Sequence, residues 1–175
     1  MFLVLSLLIM TRKDIAIIGG TFDPVHNGHV EMVKYLSYNY IVDEVWLLPS
    51  YNSPHKNVLN ITPFNHRVNM LNIAIKNIKK VIVNTFEAEY YHQNPDEEKT
   101  YTYEVLNALK KKYLNGRFHF VVGFDSIKHI SEWHRYKELI RDYWFYIFDR
   151  CDDDFEMREQ KIYYLDNLGN DNILH

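Results

Sequence analysis

Apolar positions follow two different periods along this chain, and the switches between them mark out the elements. Asp14–Ile18 carries the short apolar run "IAII", the pattern of a strand covered on both faces. Two glycines follow. From about Gly28 to Tyr38, Val30, Val33 and Leu36 recur every third residue, which predicts a helix. "EVWLLP" (44–49) is a second strand, closed by Pro49. After the loop "SYNSPHKNVLNI" (50–61), Thr62 as cap and Pro63 in the first turn signal a helix carrying Val68, Leu71 and Ile75 on one face. "KVIVNTF" (80–86) predicts a third strand, and "YYHQNPDEEK" (90–99) an exposed polar loop. "TYTYEVLNALKKKYL" (100–114) predicts a helix with basic residues in its last turns and Asn115-Gly116 as its stop. "RFHFVVG" (117–123) and "YWFYIF" (143–148) are strands four and five. The acidic "DRCDDDFEMREQ" (149–160) reads as a loop or short helix, and "KIYYL" (161–165) as a last strand.

Strands separated by helices of this length imply crossover units. The expected fold is a single α/β domain, a Rossmann-like open parallel sheet with helices on both faces. Ligands bind such sheets beyond the carboxyl ends of the strands, where strand order reverses. Gly19, Gly20 and Gly123 fall at such ends.

Composition narrows the picture. A chain of 175 residues, 47% hydrophobic, suits one core. A net charge of −3 argues against a broad surface for nucleic acid or anionic membrane, though not against a local anion pocket. The single cysteine, Cys151, excludes an internal disulfide, which fits a cytoplasmic protein. The opening "MFLVLSLLIM" is shorter than the ~20 residues a membrane span needs and lacks the marks of a signal peptide. Residues 1–12 are read as an apolar extension, with Met10 as a natural start, and residues 13–175 as the domain.

The chemistry concentrates in "GGTFDPVHNGH" (19–29). Gly19 and Gly20 are expected to turn the backbone sharply and bring it close to a ligand, and Gly28 permits a similar approach. The helix start behind them offers free N–H groups suited to phosphate. His26 and His29, three apart, place two imidazole donors beside it. No Ser, Cys or Lys nucleophile stands among them, and the P-loop Gly-Lys-Ser/Thr is absent. A substrate that is itself a phosphate ester removes the need for one: it is largely dianionic at neutral pH and attacks a nucleotide α-phosphate directly. The protein then aligns two anions and neutralises the transferring group, with Mg²⁺ on the departing pyrophosphate. The bland alternative is a glycine turn with two surface histidines. Asp23 is expected to hold the loop through backbone N–H groups, and the other histidines show no zinc-type spacing.

The string "GGTFDPVHNGH" resembles the signature of the nucleotidyltransferases with the T/H-x-G-H motif, most closely the nicotinate (nicotinamide) mononucleotide adenylyltransferases. "WLLPSYNSPHK" resembles that family's Pro-Pro-His-Lys loop, with Ser53 for the first proline. "NHRVNML", "TYTYEVL", "VGFDSIKHISEWHRYKELI" and "KIYYL" resemble its later segments, so the likeness runs from about Lys13 to Leu165. It implies ATP and nicotinate (or nicotinamide) mononucleotide as substrates, Mg²⁺ arriving with ATP, and deamido-NAD (or NAD) and pyrophosphate as products of NAD biosynthesis. By position, Gly19, Gly20, Thr21, Phe22, Gly28, Gly123 and Asp125 would bind ATP, and His26, His29 and Lys56 would act on its phosphates. Tyr101, Thr102, Trp133 and His134 would take the pyridine nucleotide. Taken alone, Trp133 is more often core, and Thr102 and Asp125 are more often helix caps. Arg67 is expected to pair with an acid on its own helix and is left out of the site.

The family follows its last strand with Ile-Ser-x-Thr-x-x-Arg. Here "DNLGNDNILH" stands there, and acidic "RCDDD" replaces a basic loop, leaving Arg150 as a weak phosphate contact. The final motif and helices of the family are therefore expected to be missing from this sequence. The rival readings are another nucleotidyltransferase, such as phosphopantetheine adenylyltransferase, and a truncated, non-catalytic nucleotide-binding protein; a homo-oligomer is open.

Overall fold

A computed structural model describes residues 12–39, 41–52, 61–97, 99–148 and the backbone of 162–164. Residues 53–60 with Lys56, then Arg150, Cys151, the acidic stretch and the first eleven residues lie outside the described residues.

The sheet order is β3-β2-β1-β4-β5-β6. Its strands are β1 (Lys13–Gly20), β2 (Glu44–Pro49), β3 (Val81–Val83), β4 (Gly116–Gly123), β5 (Trp144–Phe148) and β6 (Ile162–Tyr164). The first five are parallel, as expected, with β1 paired to β2 from Ile15↔Glu44 and to β4 from Lys13↔Gly116. β6 differs: it closes the edge antiparallel to β5, Ile147 opposite Tyr163.

β1 is central, and its apolar run alternates faces. Ile15 and Ile17 join one core with Trp46, Leu48, Phe120 and Phe145. Ala16 and Ile18 join the other with Val45, Leu47 and Tyr146. Helices α1 (Asn27–Tyr38) and α2 (Phe64–Ile75) cover the second face through Val33, Leu36, Leu71 and Ile75. The first face is covered by α3 (Phe86–Gln93), α4 (Thr102–Lys112) and α6 (Tyr136–Asp142), through Phe86, Leu106, Leu109 and Leu139. A four-residue turn, α5 (Phe124–Ile127), and a 3-10 turn at Ile130–Glu132 link β4 to α6.

Two local expectations are corrected. The polar stretch from Tyr90 does not begin as a loop, because α3 runs to Gln93. Phe86 and Glu87 are buried and Asn84 Oδ1 accepts the Phe86 N–H at 2.9 Å, so a helix of two turns is held by anchors too few to show a period. Nor does Thr62 cap α2. Pro63 occupies the cap position without a side-chain bond, while the Thr62 N–H donates to Asp23 Oδ2 at 2.9 Å. Asp23 thus does hold a backbone N–H, one from a segment 39 positions away.

Candidate active site

Strand order reverses between β1 and β4, and a cleft of about 360 Å³ opens there at the carboxyl ends. Gly19, Gly20, Thr21 and Gly28 form one wall with His29. Gly123 and Asp125 come from the end of β4, and Tyr101, Thr102, Trp133 and His134 stand together on a further side. One cleft therefore gathers most of the residues singled out above.

The glycines act differently from expectation. No glycine among the described residues has positive φ; the left-handed residue of the signature loop is Phe22, at φ 51°. Gly19 and Gly20 end β1 in ordinary extended geometry. A Cβ on Gly19 would come within 3.2 Å of the Phe120 ring, whereas one on Gly123 would meet nothing within 4 Å and would project into open space. The glycines keep packing tight and the cleft clear, and the turn is made by Phe22. Its side chain is buried in the second core, not in the cleft wall.

The paired histidines also divide their tasks. His26 is the N-cap of α1, and its backbone N–H donates to His29 Nδ1 at 3.3 Å. A ring nitrogen that accepts cannot carry the proton, so neutral His29 holds it on Nε2, as a donor. The two rings stack with centroids 3.7 Å apart, and Phe22 meets His29 edge-on at 4.8 Å. His29 lines the cleft; His26 backs it from the exposed side.

On the opposite side Tyr101 is the N-cap of α4 and packs its ring on His134 at 4.3 Å. Thr102 is the first helical residue and makes no cap, so its alternative role falls away. Asp125 likewise does not cap α5. It is an exposed carboxylate at the cleft, 3.9 Å from Lys128 Nζ. Trp133 is partly buried and meets Phe120 edge-on at 6.0 Å, so it belongs to the core's rim and the cleft's wall at once.

Two residues matter more than their sequence context suggested. Arg67 is only 2% exposed and pairs with no acid on α2. Its Nε donates to the Thr62 carbonyl at 2.9 Å, and its Nη1 donates to the carbonyls of Thr21 at 2.7 Å and Ser50 at 2.9 Å. It ties the signature loop, the end of β2 and the start of α2 into one frame. No local pattern reveals this, because all three partners are backbone carbonyls and two of them lie 17 and 46 positions away.

Glu87 was not singled out at all. It lines the cleft, is 8% exposed, and accepts the Tyr51 N–H at 2.9 Å and the Thr100 hydroxyl. Burial pushes its carboxyl up to about 7, against the pull of those bonds and of Arg67. The folded protein thus keeps a proton that the unfolded chain releases near 4.5. The resulting penalty is absent below that pH, grows as pH rises, and is complete above about 7. Relative to Glu87→Gln, the wild type is expected to lose about 3 kcal/mol between pH 4 and pH 8. Paired urea melts at the two pH values check this; parallel behaviour of both proteins would show the carboxyl is not penalised.

Helix-start N–H groups, a glycine-cleared wall and an imidazole donor meet at the switch point of an open α/β sheet, where such sheets bind ligands. A family model described as cytidylyltransferase-like matches residues 17–166, and the chain belongs to that family. It is 36% identical over 128 residues to the nicotinate-nucleotide adenylyltransferase of Bacillus subtilis, a match covering 73% of this chain and 65% of the relative. A probable nicotinate-nucleotide adenylyltransferase of Desulfotalea psychrophila is 31% identical over 160 residues, 90% of this chain and 72% of that one. The fold matches the Plasmodium falciparum nicotinic acid mononucleotide adenylyltransferase complexed with NaAD at TM-score 0.67 and 28% identity. That match covers 79% of this chain and 65% of the other. The resemblance read from the signature stands. This chain spans 65% of the length of the Bacillus subtilis relative.

Proposed function

We propose that this protein transfers an adenylyl group from ATP to nicotinate mononucleotide, forming deamido-NAD and pyrophosphate. The observation that carries the reading is the cleft with His29 at one wall and the Tyr101–Trp133–His134 group at another. The Bacillus subtilis and Desulfotalea psychrophila relatives bear this activity in their names, and the Plasmodium falciparum relative holds NaAD, which supports it.

A phosphate oxygen of the mononucleotide attacks the α-phosphorus of ATP. The new P–O bond forms as the bond to the β-phosphate breaks, and the electron pair leaves with pyrophosphate. No protein atom becomes bonded to substrate. His29 donates its Nε2 proton as a hydrogen bond to the transferring phosphate, where negative charge builds. The N-terminus of α1 adds N–H groups and a partial positive charge. Gly19, Gly20, Thr21 and Gly28 admit the ATP phosphates against bare backbone, with Asp125 accepting from a ribose hydroxyl near Gly123. His26 holds the His29 ring from behind. Lys56, which follows β2 in sequence, would supply a further positive charge, and Mg²⁺ arriving with ATP would neutralise charge on the departing pyrophosphate. Among the described residues no group of three His, Cys, Asp or Glu could hold a metal ion. No helix among them is long and apolar enough to cross a membrane.

Trp133 stacks on the pyridine ring, with Tyr101, Thr102 and His134 beside it. Trp133→Ala is expected to raise KM for the pyridine nucleotide about 10–100-fold, the loss of one stacking partner, and KM for ATP far less. Equal effects on both substrates would place the pyridine ring elsewhere. The function itself is tested by pyrophosphate release with ATP and, separately, nicotinate mononucleotide, its amide and phosphopantetheine. Nicotinate mononucleotide is expected to be preferred, and preference for phosphopantetheine would overturn the reading.

A further inference from the structure

One carboxyl group in the cleft wall has no part in the transfer chemistry. Glu87 stands in the first turn of α3, buried, and two other segments meet on it. Its Oε1 accepts the backbone N–H of Tyr51, just after β2, and the hydroxyl of Thr100, just before α4. Thr100 in turn donates its N–H to the Asn52 carbonyl at 3.2 Å, and its Oγ1 lies 3.3 Å from that same oxygen.

The Thr100 hydroxyl therefore faces two acceptors with one proton. When Glu87 is ionised, the hydroxyl donates to the carboxylate. When Glu87 is protonated, the carboxyl O–H donates to Thr100, whose own proton turns to the Asn52 carbonyl. In both states the three segments stay joined. A buried acid is a costly way to join loops, and an apolar pair of the same shape would serve packing better. An apolar side chain, however, could neither accept the Tyr51 N–H nor aim the Thr100 hydroxyl.

Both Glu87 and Thr100 line the cleft, and the next two residues, Tyr101 and Thr102, line it beside Trp133 and His134. We propose that Glu87 is a positioning residue for the pyridine nucleotide: its clasp with Thr100 and Asn52 sets where Tyr101 and Thr102 stand in the cleft. The inference rests on assigning that side of the cleft to the pyridine nucleotide.

The test compares Glu87→Ala, Glu87→Gln and Thr100→Val in the full chain. Hydrogen exchange is followed at the Tyr51 and Thr100 amides, and calorimetry measures nicotinate mononucleotide and ATP separately. Glu87→Ala and Thr100→Val are expected to weaken the mononucleotide about tenfold and ATP by no more than about twofold, the scale of one lost hydrogen bond. Glu87→Gln, which keeps the acceptor oxygen, is expected to restore most of that affinity, and the Tyr51 amide is expected to exchange faster in Glu87→Ala alone. Thr100→Val keeps side-chain volume, so it serves if Glu87→Ala does not fold. Equal weakening of both ligands, or a glutamine variant no better than alanine, overturns the proposal. Wild-type protein that does not bind nicotinate mononucleotide defeats the substrate reading instead. Even then the Tyr51 amide decides the clasp: unchanged exchange in Glu87→Ala removes it.

Discussion

His29→Ala is expected to lower turnover roughly 10²–10³-fold, the usual loss when one donor to a developing charge is removed. The expectation follows from the tautomer. The His26 backbone N–H occupies His29 Nδ1, so the one ring proton of the neutral imidazole sits on Nε2, in the cleft-lining side chain. Stacking on His26 and the edge of Phe22 hold the ring in that orientation before substrate arrives. The donor is thus preorganised, and its loss is felt most where charge develops. Steady-state kinetics should therefore show a large fall in kcat with a modest change in KM for ATP. His26→Ala removes a supporting ring instead of a donor, so its effect should be smaller. Near-normal turnover of His29→Ala would take the histidine out of the reaction.

The second large effect is on stability. Arg67→Met keeps much of the apolar stem but leaves the carbonyls of Thr21, Ser50 and Thr62 without their donor. At ~1–3 kcal/mol for each of the three stranded groups, the loss is roughly 3–9 kcal/mol. At about 2–4 °C per kcal/mol for a domain of this size, that lowers Tm by at least about 6 °C. A lysine would do little better, since it lacks the planar fork that reaches two carbonyls from one nitrogen and a third from another. Thermal unfolding followed by circular dichroism checks this, and a fall of only a degree or two would mean that water replaces the guanidinium. The same variant should weaken ATP, because Thr21 belongs to the wall its carbonyl helps to place.

Much of the site was legible because its residues are close in sequence. Gly19 to His29 are joined by one strand–turn–helix unit, so the spacing of the histidines carried their proximity with it. The cleft's location was legible too, since glycines at two strand ends mark where an open sheet binds ligands. Glu87 and Arg67 left no comparable trace. Glu87 falls between the third predicted strand and the polar stretch, and its burial depends on Tyr51 and Thr100, 36 and 13 positions away. Arg67 looked like a helix-surface residue, because a bond to a carbonyl leaves no complementary charge in the sequence. That the turn falls to Phe22 and not to Gly19 or Gly20 is hidden for a related reason. Whether a missing Cβ serves a turn or a tight contact depends on what lies opposite, and Phe120 opposite Gly19 is 101 residues on.

The alternation of short apolar runs with helical periods determined, from sequence alone, a parallel α/β sheet with helices on both faces, with the signature loop at the end of its first strand. These are local properties: side-chain period, turn chemistry and hydrophobicity act within a few residues of one another. Tertiary structure alone decided which histidine faces the cleft, that β6 runs antiparallel, and that a buried arginine and a buried acid frame the walls. Those outcomes depend on desolvation and on hydrogen bonds to backbone atoms far along the chain. Neither the strength of such a bond nor the identity of its partner is encoded near the residue that makes it.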